Sequence, residues 1–346
     1  MEWLNTNVKV PDVAFYKDAL NRQQQLTKPP GSLGVLEDIA VRLAAIQNTQ
    51  KPTVERIWVS VFAADHGIAA EGVSAFPQVV TTEMVRNFST GGAAVNVLSG
   101  FIKAPFEIVD VGLVKPITLT ELIVDRAGAG TANFAVQAAM TEGQMQLALS
   151  AGKKAIERAI AHKTQLFVGG EMGIANTTSA SAIAAAITGL GVEQLTGAGT
   201  GISTEKINHK SYVIQKALEL HQKNLDSPLK ILQYVGGFEI AALVGAYIFA
   251  AQQGLAILID GFISSVAALL AIKINSKIQP WLFYAHQSEE KGHRLVLKYL
   301  KVKPLLDLNM RLGEGSGAVA AVPLMQMACK LHNEMATFKQ AKITIN

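Results

Sequence analysis

The chain is short of charge and nearly without cysteine. Of its 346 residues, 31 are Lys or Arg and 27 are Asp or Glu, so charged side chains make up only 17% and the formal net charge is +4. A globular protein carries about 25% charged residues. Beside an apolar share of 49%, this shortage excludes intrinsic disorder, which needs low hydrophobicity and high net charge. The basic residues stand singly, whereas a dedicated nucleic-acid binder would cluster them, so no nucleic-acid partner is expected. The lone Cys329 allows no internal disulfide and no thiolate cluster for a structural metal, and points to a reducing, cytoplasmic setting. The N-terminal MEWLNTNVKVPDV lacks the basic and apolar regions of a secretion signal. Long hydrophobic runs are missing too. Residues 240–259 approach the length of about 20 needed to span a bilayer, but their apolar run stops at Ala251, before Gln252 and Gln253. A buried helix followed by a buried strand is expected there, with no membrane partner.

Short β-branched runs that end abruptly in a polar or glycine-containing loop and lead into a small-residue helix mark strands buried on both faces. Five are clear, at residues 57–62, 106–109, 166–168, 255–259 and 281–284, with a weaker sixth at 231–235. Helical patterns lie between them, including 80–98, 139–162, 203–225 and 239–252. This alternation predicts an α/β fold: a mostly parallel, Rossmann-like sheet with helices on both faces. At roughly 150 residues per domain the length suggests two units. The expected division is a large α/β domain at 50–305 and a smaller helical domain built from both ends, 1–49 and 306–346. In the first end, Pro29-Pro30 breaks the helical pattern and Ser32 is positioned to cap a second helix. In the last, an apolar-faced helix is expected over 318–339.

In open α/β sheets ligands bind outside the carboxyl ends of the strands. The residues that follow the strands here include Asp65-His66-Gly67, Asp110, Gly170-Glu171, Asp260-Gly261 and His286. Asp65, Asp110, Glu171, Asp260 and Glu314 are therefore expected to gather at one crevice. Two glycine loops lead into helices, residues 169–179 and Thr196-Gly197-Ala198-Gly199-Thr200-Gly201, with Lys210 about two turns into the second helix. Backbone N–H groups at a helix N-terminus suit a phosphate, although either loop could be only a tight turn. Neither fits the Walker or dinucleotide pattern. Glu314, between glycines in Arg311-Leu312-Gly313-Glu314-Gly315-Ser316-Gly317, stands in a loop that looks too flexible to be explained by packing; it reads either as a helix cap or as a general base. Glu171 could likewise only brace its loop. The histidines show no metal-ligand spacing, Ser316 is not in a hydrolase elbow, and the paired acids of diphosphate-sugar transferases are missing. No metal and no cofactor are expected.

Six motifs then occur in order: Lys28-Pro29-Pro30-Gly31-Ser32-Leu33-Gly34, Ala64-Asp65-His66-Gly67, Gly170-Glu171-Met172-Gly173 with Asn176-Thr177-Thr178, Val235-Gly236-Gly237-Phe238, Asp260-Gly261-Phe262, and the Glu314 loop. Together they resemble the nicotinate-nucleotide:dimethylbenzimidazole phosphoribosyltransferase family over nearly the whole chain. The resemblance implies transfer of phosphoribose from nicotinate mononucleotide to a benzimidazole-type base, two small-molecule substrates, and a homodimer. It implies that Glu314 is the general base, with Glu171 at the ribose, and that Gly173, Asn176, Thr177, Thr178, Gly201, Lys210 and Ser288 contact phosphate and ribose. Leu312 and Gly313 are further substrate contacts on this reading. It places Phe76 and Met84 in the base pocket, where some relatives have polar side chains; an apolar wall discriminates less among aromatic bases. A non-catalytic nucleotide sensor with the same crevice is the alternative class, and it would have no use for Glu314.

Overall fold

The computed structural model of the protein describes residues 1–199, 201 and 203–344. From the N-terminus, α1 (Val13–Gln25) and α2 (Val35–Gln47) precede β1 (Ile57–Ala64). Then come α3 (Val79–Ser89), α4 (Ala94–Phe101), β2 (Phe106–Gly112), β3 (Leu122–Val124), α5 (Glu142–Ala161) and β4 (Leu166–Met172). Next are α6 (Asn176–Thr188), α7 (Val192–Leu195), α8 (Thr204–His221), α9 (Pro228–Val235), α10 (Phe238–Gln253) and β5 (Ala256–Ile259). The chain closes with α11 (Phe262–Ile274), β6 (Leu282–Tyr284), α12 (Lys291–Leu300) and α13 (Ser316–Glu334).

The strands form one sheet in the order β3-β2-β1-β4-β5-β6, every pair parallel. This is the doubly wound Rossmann order, which reverses direction between β1 and β4 and opens a crevice there. Helices cover both faces, and two adjacent glycines of β4 show it. Successive strand residues point to opposite faces. A Cβ at Gly169 would lie 2.6 Å from Leu243 and 3.2 Å from Tyr247 of α10, whereas one at Gly170 would overlap the carbonyl of Glu314, just before α13. So α10 packs on one face and the start of α13 on the other. α5 lies against α10 at a close crossing made possible by Gly152 and Gly245, where side chains would collide with the backbone of Ala242 and Leu149.

Several boundaries differ from the sequence expectation. Residues 231–235 are helical, in α9: the Ser227 side chain accepts the Lys230 N–H and Pro228 occupies the first turn, both helix-start signals. The sixth strand is β3, three residues paired only with β2. The pattern over 80–98 is two helices, divided by the left-handed Gly91 (φ 79°). Ser32 caps nothing; α2 starts after Gly34, and Glu37 accepts the Leu33 N–H at 2.9 Å while pairing with Lys28 at 2.7 Å. Residues 240–259 form most of α10 and β5, buried as expected, and among the described residues no helix is long and apolar enough to cross a membrane.

The two ends of the chain meet. Leu26 and Thr337 form an antiparallel bridge, and α2 packs along α13. The Arg22 guanidinium donates to the carbonyls of His332 (2.6 Å) and Asn333 (3.0 Å), satisfying acceptors that the end of α13 leaves open. Leu43, Ile46, Val319, Val322 and Met325 belong to the same continuous core as the strands.

Candidate active site

A cavity of about 420 Å³ lies at the carboxyl ends of β4, β5 and β6, on the β4 side of the switch point. Glu171 and Gly173 come from β4 and its loop, Asp260 from β5, His286 and Ser288 from the segment after β6, and Leu312, Gly313 and Glu314 from the turn before α13. Asn176 and Thr177 enter from the first turn of α6, and Phe76 stands half-exposed among the lining residues.

The α6 end is built for an anion. Ala175 adopts a left-handed conformation (φ 77°) that starts the helix sharply after β4. The Lys210 ammonium reaches from α8 and donates to Thr177 Oγ1 at 2.7 Å. Lys210 is almost completely buried, and burial pushes its pKa down to about 8, against the pull of nearby Glu290. The carboxyl of Glu290 is itself raised by burial, with Lys210 opposing. Gly197 leaves room for that carboxylate, because a Cβ there would overlap it. Ser288 is fixed from behind: its N–H donates to His293 Nδ1 at 2.9 Å. With Nδ1 accepting, His293 is neutral and its Nε2–H donates to Ser265 Oγ at 3.0 Å. Burial, then His286, hold its pKa down to about 3.

At the other end stand three carboxylates. Glu171 accepts a short hydrogen bond from Asn176 Nδ2, and burial, followed by the charges of Glu239 and Asp260, raises its carboxyl well above the usual range. Gly313, Glu314 and Gly315 all have left-handed backbone, with φ of 82°, 64° and 85°. A side chain at Gly313 would come 2.5 Å from Glu171 Oε1. The turn expected to be flexible is in fact packed. It lies directly on Gly170, and the Asp260 carboxylate accepts the N–H groups of Gly315 (3.2 Å) and Ala318 (2.7 Å). Asp260 therefore caps α13, and Glu314 does not. Glu314 Oε2 is buried and without a protein partner. Burial, then the charge of Asp260, push the Glu314 pKa up to about 7. A carboxyl of that strength, free of structural duty, is suited to take up and release a proton near neutral pH.

Nine of the thirteen expected catalytic and substrate-contact residues line this cavity, Glu314, Glu171, Phe76, Gly173, Asn176, Thr177, Ser288, Leu312 and Gly313, together with Asp260, Gly261 and His286 from the expected crevice. Lys210 stands behind Thr177, Thr178 is fully buried one position further along α6, Met84 is on α3 outside the wall, and Gly201 is exposed. Thr200 of the second glycine loop lies outside the described residues. Asp65 and Asp110 do not join the other acids. Asp65 accepts the Val114 N–H at 2.7 Å, and Asp110 accepts the Leu113 N–H at 2.8 Å and pairs with Arg126 at 3.7 Å. Asp65 follows β1 and Asp110 lies near the end of β2, on the far side of the switch point. His66 turns inward to Glu239 (2.7 Å) and Ser179 (3.1 Å). Sequence reasoning assigned no role to the lining residues Glu290 and Arg311; their closeness to Ser288 and to the glycine-rich turn was the available signal.

Comparison with known proteins agrees with this geometry. A phosphoribosyltransferase family model matches residues 8–343. The nicotinate-nucleotide–dimethylbenzimidazole phosphoribosyltransferase of Pseudomonas fluorescens is 54% identical, covering 99% of this chain and 97% of its own length. Its counterpart of the same name in Xanthomonas campestris is 51% identical, with 99% of each covered. Among solved structures, the crystal structure of this enzyme from Thermus thermophilus superposes with a TM-score of 0.91 at 42% identity, covering 97% of this chain and all of the other. With likeness of this extent in sequence and fold, the chain belongs to the nicotinate-nucleotide–dimethylbenzimidazole phosphoribosyltransferase family.

Proposed function

We propose that the protein transfers the phosphoribosyl group of nicotinate mononucleotide to 5,6-dimethylbenzimidazole or a related aromatic base, giving α-ribazole 5′-phosphate and nicotinate for the lower ligand of cobalamin. The observation that carries this reading is the pair of buried carboxyls, Glu171 at the end of β4 and Glu314 in the turn before α13, facing one cavity. The nucleotide carries a cationic pyridinium nitrogen. Breaking its bond to the ribose sends the electron pair to that nitrogen and leaves positive charge on the sugar. The cationic nucleotide beside Glu171 favours its ionised form against the burial that raises it, and the carboxylate then stabilises the charge developing on the sugar. One benzimidazole nitrogen attacks the anomeric carbon from the opposite face, which inverts β to α, and the other nitrogen becomes acidic. Glu314 takes its proton, a contribution of roughly 10² to 10⁴ in rate.

Lys210, Thr177 and the α6 N-terminus hold the phosphate, with Gly173, Asn176 and Ser288 completing the phosphate and ribose cradle. Phe76, Leu312 and Gly313 shape the space for the aromatic base. The reaction uses no metal or cofactor on this reading. The protein acts in the cytoplasm, in keeping with its single cysteine. It acts as a homodimer, in keeping with the exposed Val97 and Phe101 one turn apart on α4, and with a large domain at 50–305 and a helical unit from 1–49 and 306–346. The test is to incubate purified protein with nicotinate mononucleotide and 5,6-dimethylbenzimidazole and to separate the products. Formation of α-ribazole phosphate is expected. No product from the wild type, or full rate in Glu314→Gln, would overturn the assignment.

A further inference from the structure

We infer that Asp260 is the positioning residue for Glu314: its two carboxylate oxygens hold the turn on which Glu314 stands, and its fixed charge decides which of the two neighbouring carboxyls keeps a proton. The inference rests on the reading of Glu314 as the general base. Its geometric basis is the turn itself. Gly313, Glu314 and Gly315 are three consecutive left-handed residues, and a non-glycine residue is held in that region only when its surroundings impose it. Asp260 supplies the constraint. One oxygen accepts the Gly315 N–H at 3.2 Å, the other the Ala318 N–H at 2.7 Å. Gly170 supplies the floor beneath the Glu314 carbonyl.

Asp260 is also placed to remain ionised. It faces the N-terminus of α13, which favours a negative charge, and His286 Nε2 lies 3.7 Å from Oδ1. The other groups facing it are Glu171 from β4, Tyr247 from α10 and Glu314 itself. Burial raises the Asp260 carboxyl, while His286 and the backbone N–H groups act in the opposite direction. Glu314 has no such donors, and its Oε2 is orphaned. Two adjacent carboxyls in unequal surroundings divide the work, one staying charged and one exchanging a proton. Asp260 thus acts through Glu314, whose turn it holds by both oxygens.

The experiment measures kcat and KM from about pH 5 to about pH 9 for the wild type, Glu314→Gln and Asp260→Asn. Glu314→Gln tests the underlying reading. Should it retain full rate, Glu314 is not the base, and that reading fails whatever Asp260 does. With Glu314→Gln inactive, Asp260→Asn should lose about tenfold or more in kcat and keep KM for nicotinate mononucleotide within about threefold, while the acidic limb of kcat/KM moves by roughly half a unit or more toward lower pH. The direction follows from removing a negative charge beside Glu314, which makes that carboxyl easier to ionise. An acidic limb that stays in place, or a loss confined to KM, would refute the inference, since a merely structural cap lowers stability and rate without moving the limb. Should Asp260→Asn not fold, Asp260→Ser carries the same readings, because serine is also a good helix cap without charge.

Discussion

At the scale of single residues, the groups suited to chemistry are those the fold has left unsatisfied. Glu314 is buried with an unpartnered oxygen and a pKa of about 7 against an ordinary 4.5. A carboxyl raised in the folded state contributes full stability below its unfolded pKa and loses that contribution as pH rises through the folded one. Here the loss runs from about 4.5 to about 7. Glu314→Gln should therefore be more stable than the wild type at pH 8, by about 1 kcal/mol or more, and no more stable near pH 4. Thermal melts at the two pH values test this; equal melting temperatures at pH 8 would contradict it. Lys210 sets the other limit. Its ammonium is lost near pH 8 in the free protein, and with it the main attraction for the phosphate. The plot of kcat/KM against pH should be bell-shaped, rising through about 7 and falling through about 8. A profile flat from about pH 6 to about pH 9 would show that neither group controls the reaction.

At the scale of elements, β4 carries two glycines with opposite duties. Gly169 faces Leu243 and Tyr247 on α10, and Gly170 faces the Glu314 turn. Gly169→Ala should cost about 1–3 kcal/mol through overpacking and leave kcat within a few-fold. Gly170→Ala should displace the Glu314 turn and lower kcat by about a hundredfold, since a misplacement of about 1 Å can cost that much. Melts and kinetics on the two variants separate the effects, and equal kcat losses would contradict the division. What was legible in the sequence follows the same line. Buried parallel strands show as β-branched runs ending in polar residues, so β1, β2, β4, β5 and β6 were readable, as were the glycine-flanked carboxylates. β3 was not, because three residues on one partner leave no periodic signal. Residues 231–235 misled because an apolar run of five fits strand and buried helix alike, although Ser227-Pro228 before it favoured the helix. Asp65, Asp110 and Asp260 could not be told apart, since each follows a strand. Their separation depends on the order of strands across the sheet, which is a long-range property.

At the scale of the whole molecule, the low charge content is accounted for by a sheet covered on both faces and by terminal helices that share its core. The termini also support the site. Residues 1–49 contribute nothing to the cavity lining, yet α2 covers α13, and the turn before α13 carries Glu314. Deleting residues 1–49 should therefore abolish activity and solubility together, by uncovering the apolar side of α13. A soluble, active truncated protein would refute this. Sedimentation equilibrium tests the dimer, a monomer at all concentrations being the contrary result. The meeting of the two ends bears on how the protein is made. A domain folds as a unit, and here that unit takes in elements from both ends of the chain. The helix that will cover α13 is produced among the first residues, and its partner among the last. The sheet and the nucleotide cradle at α6 come off the ribosome well before the Glu314 turn. The nucleotide cradle and the proton acceptor are therefore tied to one another through a core that is complete only when α2 and α13 have met.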